Sequence, residues 1–414
     1  MMADRKNSDP GRYRGGLGTL SGLLSFRNAD RVALVGSCLG VASLFLGWYA
    51  LRPNRLANGV GFSIWQIGTV EGIVLSVFWV LSVMLGLNSV FRWRHSSLAL
   101  GIVANALLFC TVLWVGLGAR VLLAGWSEIA RVSLGGGAWL SLAAAWMVLF
   151  AAGQNLSGWH KHLVLWPGIA SAAVLVAVGW LDKTSILAEY SGYQARFWQE
   201  AWQHVRISAI SVIIAALIGM AIGVWATRSR VAKGPIFFLA NTMQTIPSLA
   251  LFGILIAPLS ALSFAYPELR QLGIRGIGVA PAVIALTIYS LLPVVQNTYT
   301  GITRVDRAAI DAGLGMGMTR WQVFLKIEAP LAAPLVLEGV RTASVQAIGL
   351  TTVAAIIGAG GLGWFVFRGI GQAAPDLILL GTIPIIVMAL LVDGLMRTAV
   401  RLGTPKGISV VSDG

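Results

Sequence analysis

The stretch DAGLGMGMTRWQVFLKIEAP, from Asp311 to Pro330, lies between two long apolar segments. It contains three glycines together with acidic and basic residues, whereas the sequence on either side of it is typical of a membrane-embedded chain. Charged groups are costly inside lipid, so a piece of this composition is expected at the edge of the bilayer or beyond it. The side of the membrane on which it lies therefore decides the class of protein.

The composition around this stretch predicts the fold class. Of the 414 residues, 57% are hydrophobic and 11% are charged, and the mean hydropathy is +0.80. Nearly uncharged runs are long enough to cross a hydrocarbon core about 30 Å thick, and a lone segment in lipid satisfies its backbone as a helix. We expect an all-α polytopic membrane protein with about ten transmembrane helices. The predicted spans are 32–51, 70–90, 98–118, 137–153, 163–181, 207–226, 236–262, 277–296, 334–357 and 377–396.

The distribution of basic residues predicts the topology. With the N-terminus inside, 19 of the 30 Lys and Arg residues fall on the inner side and 10 on the outer side. Basic residues favour cytoplasmic loops, so both termini are predicted to be cytoplasmic in a multi-pass protein of the plasma (inner) membrane. The net charge of +14 is then a topology signal rather than a sign of nucleic-acid binding. Two cysteines and four histidines form no metal-binding constellation.

The chain is predicted to divide near its longest outer connection, 182–206, whose FWQEAWQHV segment is predicted to form an amphipathic interfacial helix. The predicted parts are a cytoplasmic tail at 1–31, a five-helix membrane domain at 32–190, a second membrane domain at 191–400 and a cytoplasmic tail at 401–414. The first membrane domain carries no motif, and the simplest expectation for it is a scaffold or an oligomer contact.

The connection at 297–333 is longer than a hairpin between two helices needs. A helix is predicted from about Val305, a turn at Gly317, and a second helix capped by Thr319 and ended by Pro330. Trp321, Phe324 and Leu325 are spaced to share one apolar face on that second helix. A polar helix–turn–helix that presents aromatic side chains favours docking of a partner over a solvated loop.

The spacing of this stretch resembles the EAA loop of ABC-importer permeases. The family pattern is Glu-Ala-Ala, three residues, Gly, nine residues, Ile, one residue, Leu-Pro. This sequence departs from it at Asp311, Gly313 and Ala329. In that family the loop forms coupling helices that sit in a groove of a cytoplasmic ATPase subunit. The resemblance implies an ATPase-coupling loop of Asp311, Ala312, Gly313, Gly317, Trp321, Ile327, Ala329 and Pro330.

A glycine-rich run follows the ninth predicted span, in IIGAGGLGWFVFRGIG, from Ile356 to Gly371. No Gly-Lys-Ser/Thr follows it, so a phosphate-binding loop is not favoured. We expect a re-entrant turn at the outer end of the span, with helix-breaking glycines at Gly358, Gly360, Gly361 and Gly363. This run and the following DLILLGTIPIIVMALLVDGL resemble the permeases of osmoprotectant importers.

The seventh predicted span contains ANTMQTIPSLALFGIL, in which polar residues surround a proline. Proline kinks a span, and polar groups beside it either line a pathway or form hydrogen bonds between helices. Both interpretations stay open for this segment. The candidate pathway residues are Asn241, Gln244, Thr245, Pro247, Ser248 and Tyr289. Glu338 and Arg341, three residues apart on one predicted helix, are expected to pair, and Asp393 is expected to be structural.

The resemblance covers roughly residues 200–400 and implies a type I ABC importer (MetI-like) permease core of five helices. It further implies a separate ATPase subunit, an extracytoplasmic substrate-binding protein, and a second permease copy or related permease. The implied substrate is glycine betaine or a related quaternary ammonium osmoprotectant. The chain has no Walker motif, so it is expected to be a transport subunit that binds no cofactor itself, with ATP used by the partner.

Other classes of protein remain as alternatives. One is an ion-coupled secondary transporter with 5+5 inverted repeats, although the first spans of the two halves lack matching helix breaks. Another is an ABC importer of a different small solute, such as an amino acid. A third is a non-transporting membrane scaffold, against which the EAA-type spacing argues.

Overall fold

A computed structural model describes residues 30–55, 57–87, 96–271 and 273–404. The predicted tails, apart from their innermost residues, and the end of the second predicted span beyond residue 87 lie outside the described residues. The chain divides into two compact units, Met1–Ser185 and Ile186–Gly414.

The first unit combines helices with a small sheet. Its elements are α1 (Arg31–Ser43), β1 (Gly47–Arg52), β2 (Val60–Ser63), α2 (Ile64–Ile67), α3 (Thr69–Leu87), α4 (Ser96–Leu123), β3 (Arg131–Leu134), α5 (Gly136–Gln154) and α6 (Trp159–Ala177).

The first predicted span, 32–51, is wrong in its second half, which forms a strand of the sheet. The helix ends at Ser43, and the second half of the apolar run is β1, which lies between β2 and β3 and pairs antiparallel with both. A short apolar run does not distinguish a buried strand from a helix by its periodicity. Trp48 and Tyr49 of β1 are buried, so this apolar content fills the protein core.

Small residues let the helices of the first unit pack closely around its tryptophans. A Cβ on Gly40 would lie 2.3 Å from the Trp79 ring, and one on Gly137 would lie 2.4 Å from Trp48. The Trp48 indole N–H donates to the Ser43 carbonyl at 2.8 Å. Glycines at helix contacts are typical of packing inside membranes, and the bond to Ser43 satisfies the polar group of the buried Trp48.

The second unit is helical throughout its described residues. Its elements are α7 (Ser185–Gly192), α8 (Gln194–Arg228), α9 (Arg230–Thr245), α10 (Ser248–Ala265), α11 (Pro267–Gln271), α12 (Val279–Thr303), α13 (Arg307–Gly315), α14 (Arg320–Val323), α15 (Ala329–Ala354), α16 (Gly363–Gly371) and α17 (Pro375–Gly403). A π-helical turn (Phe324–Glu328) precedes α15, and a 3₁₀ turn (Ala355–Ile357) follows it.

Helix α12 packs against both α8 and α15 to form the centre of this unit. Glycines permit the approach: a Cβ on Gly223 of α8 would lie 2.6 Å from Thr298, and one on Gly339 of α15 would lie 2.7 Å from Asn297. Any larger residue at either position would push the helices apart.

Two further helix predictions are corrected in the second unit. The FWQEAWQHV segment is not a separate interfacial helix but the first part of α8, a single helix of 35 residues. No proline interrupts the sequence between Gln194 and Arg228, so the helix that spans the membrane continues through it. The seventh predicted span, 236–262, is divided into α9 and α10 at Pro247.

Among the described residues, eight helices are long and apolar enough to cross a membrane. They are α3, α4, α5, α6, α8, α10, α12 and α17. Two of the ten predicted spans, 32–51 and 334–357, are not among them, because α1 has 13 residues and the 26-residue α15 is more polar. The seventh predicted span keeps one such helix, α10, although α9 is separated from it. The all-α polytopic class is confirmed, with the small sheet as an addition to it.

Candidate functional site

The segment between α12 and α15, residues 304–328, is named the helical loop here. Asp306 caps its first helix, α13, by accepting from the Ala308 N–H at 2.9 Å. The helix ends where Gly317 turns the chain with φ of +82°. Gly317 N–H donates to Leu314 at 2.9 Å and Met318 N–H to Gly313 at 3.1 Å, which is the Schellman pattern. The predicted turn at Gly317 is confirmed.

The second helix of the loop begins at a reciprocal cap. Thr319 N–H donates to the Gln322 side chain at 2.8 Å, and the Gln322 N–H donates to the Thr319 hydroxyl at 3.3 Å. This capping box satisfies two backbone donors that a helix start leaves open. The predicted cap at Thr319 is confirmed.

The predicted end of that helix at Pro330 is wrong. The chain stays helical from α14 through the π turn into α15. In the widened turn the Ala329 N–H donates to Phe324, five residues back. Pro330 follows within the first turn of α15, where its missing N–H is tolerated. The helix is therefore continuous from α14 of the helical loop into α15.

Several motif positions meet inside the loop, and others face outward. Gly313 is buried, and a Cβ there would lie 2.5 Å from Ile327 and 3.4 Å from Val323. The glycine thus lets α13 pack onto the π turn. Asp311 and Ala312 are exposed on the other side of α13.

The exposed surface of the loop carries large apolar side chains. Trp321 is 66% exposed, and Met316 and Leu325 are exposed as well. Phe324 is half-buried, and its ring centroid lies 5.5 Å from that of Trp321 in a stacked arrangement. Trp321 and Leu325 thus present the predicted apolar face to the outside, while Phe324 lies beneath it.

An ion pair anchors the loop to α8. The carboxylate of Glu328, 5% exposed, accepts from the Arg228 guanidinium at the end of α8, and one of the two contacts measures 3.4 Å. The same guanidinium lies 5.7 Å from the centre of the Phe324 ring. The sequence analysis missed this pair. A glutamate placed just before an apolar helix was the available signal.

The pathway candidates cluster at the break between α9 and α10. Ile246 and Pro247 are extended there, and the Tyr289 hydroxyl of α12 donates to the Ile246 carbonyl. The Gln244 amide donates to the Tyr289 carbonyl at 2.8 Å. These reciprocal bonds bring Gln244, Pro247 and Tyr289 together and hold the break against α12.

The remaining candidates in this segment point elsewhere or bind their own helix. The Thr245 hydroxyl donates to the Thr242 carbonyl at 2.8 Å, within α9. Asn241 is exposed and Ser248 is half-buried at the start of α10. The structure thus places hydrogen bonding between helices at Gln244 and Tyr289, and it leaves Asn241 on a surface of α9.

The second motif region, residues 358–363, is named the glycine loop. Gly358, Gly360 and Gly361 have φ of +77°, +81° and +91°. A Cβ on Gly363 would lie 2.0 Å from the Thr352 carbonyl oxygen. Side chains rarely adopt such positive φ values, and no side chain fits at Gly363. The predicted sharp turn is confirmed at Gly358, Gly360 and Gly361, whereas Gly363 is the first residue of α16 rather than a helix break.

Side chains of α8 bind the glycine loop. Glu200, 3% exposed, accepts from the Gly361 N–H at 2.6 Å and from Arg196 Nε at 2.6 Å. The Gln203 amide donates to the Ala359 carbonyl at 3.2 Å. The sequence analysis did not single out Glu200 or Gln203. Their position one helical turn apart in FWQEAWQHV was the available signal.

A charged network connects α15 with α17. Arg341 pairs with Glu338, as predicted, and its Nε also donates to Asp393 at 2.6 Å. Arg397 donates to the other oxygen of Asp393 at 2.9 Å. Asp393 is thus held by two guanidinium groups, which compensates a carboxylate in the second half of the membrane helix α17.

Comparisons with known families match both units. Residues 218–401 match the family described as "Binding-protein-dependent transport system inner membrane component". Residues 30–187 match the family described as "ABC transporter permease YehY, N-terminal domain".

Individual proteins resemble the second half of the chain. The glycine betaine/carnitine/choline transport system permease protein OpuCB of Bacillus subtilis (strain 168) is 36% identical over 206 residues, 50% of this chain and 88% of that protein. The osmoprotectant import permease protein OsmW of Salmonella typhimurium (strain LT2) is 37% identical over 228 residues, 55% of this chain and 100% of that protein. Among solved structures, an inward-facing MetNI methionine ABC transporter is similar at a TM-score of 0.44 and 19% identity, covering 51% of this chain and 98% of that one.

Proposed function

This chain belongs to the family of binding-protein-dependent transport system inner membrane components, and from that premise we propose that it imports a quaternary ammonium osmoprotectant such as glycine betaine. It is a multi-pass permease subunit of an ABC importer of the inner membrane. The relatives named for glycine betaine, carnitine, choline and osmoprotectant transport support the substrate class.

The helical loop is the proposed docking element for the ATPase subunit, and its geometry is the observation that carries the transport mechanism. It presents Trp321 and Leu325 to the outside on a helix continuous with α15. An exposed tryptophan with an exposed leucine one helical turn away is the kind of side chain that dominates the energy of protein interfaces. A partner that grips this face moves α15 directly, because no helix break intervenes.

The proposed orientation places the helical loop and both chain termini in the cytoplasm. The excess of Lys and Arg on that side supports this topology. The glycine loop, at the opposite end of α15, then faces the extracytoplasmic side, where a substrate-binding protein delivers its cargo.

Hydrolysis of ATP is assigned to the partner subunit. The sequence contains no Gly-x-x-x-x-Gly-Lys-Ser/Thr segment. In the glycine loop, Gly361 and Gly363 are buried, and the Gly361 N–H is bound by Glu200. A quaternary ammonium group such as that of glycine betaine is best held by aromatic faces, which we assign mainly to the binding protein. Two permease copies, or this chain with a related permease, complete the proposed complex.

Uptake of radiolabelled glycine betaine into proteoliposomes tests the proposal. The complex is reconstituted with its ATPase subunit and binding protein, and the proton and sodium gradients are collapsed by ionophores. Uptake that continues with internal ATP and stops with a non-hydrolysable analogue supports an ATP-driven importer. Uptake that follows an ion gradient without ATP would instead show a secondary transporter.

A competition experiment addresses the substrate. Unlabelled glycine betaine, choline and carnitine are compared with methionine and histidine as competitors of labelled uptake. Inhibition by the quaternary ammonium compounds alone supports the proposed class. ATP-driven uptake of labelled methionine or histidine, with no uptake of labelled glycine betaine, would replace it with amino-acid import, without affecting the assignment as a permease.

A further inference from the structure

We propose that Glu200 is a positioning residue for import, which ties α8 to the glycine loop so that α8 and α15 move as one strut. This inference rests on the proposed ATP-driven import. In this arrangement a displacement of the helical loop at one end of α15 is delivered to the glycine loop at the other end.

The Glu200 carboxylate is a buried hydrogen-bonding group that joins α8 to the glycine loop, and it is not a surface charge. Both of its carboxylate oxygens are engaged, Oε2 by the Gly361 N–H and Oε1 by Arg196 Nε, each at 2.6 Å. The carboxylate is 3% exposed. Short charge-assisted hydrogen bonds in a dry environment are stronger than neutral ones, so this contact resists separation of α8 from the loop.

The glycine loop is shaped around that carboxylate. A Cβ on Gly360 would lie 2.9 Å from Glu200 Oε2, and Gly360 has φ of +81°. Two neighbours on the same face of α8 extend the contact. Gln203 donates to the Ala359 carbonyl at 3.2 Å, and His204 Nε2 lies 2.9 Å from the Ile348 carbonyl oxygen of α15.

A second tie joins the same two helices at their other ends. Arg228, at the end of α8, pairs with the buried Glu328 just before α15. Glu200 and Arg228 are separated by about 42 Å along α8, at 1.5 Å per residue. Two long antiparallel helices that are held by a buried glutamate at each end cannot shear past one another without breaking a charged contact.

Removing the Glu200 contact is expected to affect the coupling of ATP hydrolysis to transport. With both ties in place, force on the helical loop moves α15, the glycine loop and α8 together. With the Glu200 tie removed, α15 and the glycine loop that follows it can still respond to the ATPase subunit, while α8 no longer moves with them. ATP is then hydrolysed without a matching amount of transport.

The test measures glycine betaine imported per ATP hydrolysed, in proteoliposomes containing the complete complex. Glu200→Ala is expected to lower this ratio by about fivefold or more. Glu200→Gln, which keeps an oxygen acceptor for the Gly361 N–H, is expected to restore most of it. Glu268→Ala, at an exposed carboxylate of α11, serves as the matched control and should leave the ratio unchanged.

The outcomes separate this inference from the proposed function. Wild-type complex that imports no glycine betaine with ATP overturns the function itself. Wild-type import combined with an unchanged ratio in Glu200→Ala overturns the tie alone. If Glu200→Ala fails to assemble with the ATPase subunit, the carboxylate serves folding and the inference is equally overturned.

Discussion

The two ends of α15 use the same residue types in opposite ways. In the helical loop, Gly317 turns the chain with open space around it, and Trp321 is largely exposed. In the glycine loop, Gly363 presses against the Thr352 carbonyl. There Trp364 lies beneath two guanidinium groups, those of Arg196 at 4.6 Å and Arg368 at 4.8 Å from its ring centre.

The difference shows where a partner is still expected. The glycine loop already has its partners within the chain. Side chains of α8 form hydrogen bonds with its backbone, and two arginines cover Trp364, the second residue of α16. The helical loop satisfies its own backbone through caps but leaves its apolar side chains outside. One end of α15 is therefore held from within the chain, and the other leaves an apolar face exposed, on which we propose that the ATPase subunit docks.

Replacing Gly363 by Ala should have the largest effect. The new Cβ would lie 2.0 Å from the Thr352 carbonyl oxygen, a backbone atom that cannot move aside. The expected loss is about 3 kcal/mol or more of unfolding free energy, measured by thermal unfolding of the detergent-solubilised protein. Gly349→Ala in α15, where nothing lies within 4 Å of the added Cβ, is the control and should be neutral or slightly stabilising. Equal stability of the two variants would contradict the tight packing of the glycine loop.

Truncating Trp321 to Ala should affect binding and leave stability nearly unchanged. The side chain is exposed, so the isolated permease should lose little unfolding free energy. The affinity for the ATPase subunit should instead fall by about 30-fold, or ~2 kcal/mol of binding free energy. Titration of the ATPase subunit against immobilised permease measures this affinity. Trp198→Ala, at a tryptophan of similar exposure in α8, should retain full affinity. A large loss of stability in Trp321→Ala would show that the helical loop is packed internally after all.

Alanine at Gly317 and at Gly358 should have equal, moderate effects. Both residues have positive φ, +82° and +77°, and neither Cβ would meet a neighbour within 4 Å. The cost is then backbone strain alone, about 1–2 kcal/mol at each site, read from the shift in thermal midpoint. A much larger loss at Gly358 would mean that the whole glycine loop, and not only Gly363, is constrained by packing.

Two glutamine substitutions should produce the smallest effects. Gln322→Ala removes an exposed capping bond and should cost about 0.5 kcal/mol, whereas Gln203→Ala removes a half-buried bond to Ala359 and should cost about 1 kcal/mol. Denaturant or thermal unfolding of the two variants side by side measures the difference. A reversed order would indicate that the helical loop depends on its caps more than the glycine loop depends on α8.

The parts of the structure that sequence could predict are those with local causes. Gly317 and Thr319 act on residues three to five positions away, so their turn and cap are visible in a short window. Glu200 and Gly361 are 161 residues apart, and Arg228 and Glu328 are 100 apart. No pattern in one sequence connects such positions, and the two ties between α8 and α15 were therefore missed.

The errors also have physical causes. The sequence predicts a span that includes residues 47–51, because a buried strand and a membrane helix are equally apolar. It predicts a helix end at Pro330, because proline lacks an N–H. The π turn before it places that missing donor in the first turn of α15, where the helix tolerates it. Local rules predict the turn and the helix cap of the helical loop. The shifted hydrogen bonds of the π turn make the helix continuous from α14 into α15, and local rules do not predict that shift.

The π turn at Phe324–Glu328 also fixes an angle. A π turn amounts to one residue more than a regular α-helical turn requires, and each residue turns an α-helix by about 100°. Deleting a single residue there would convert the π turn into a regular α-helical turn and leave Trp321 close to its present direction about the helix axis, whereas a deletion from a regular α-helical segment would rotate everything before it by about 100°. A one-residue difference in length at this point between related chains can thus be absorbed by the turn, so that the face of α14 proposed for docking keeps its direction.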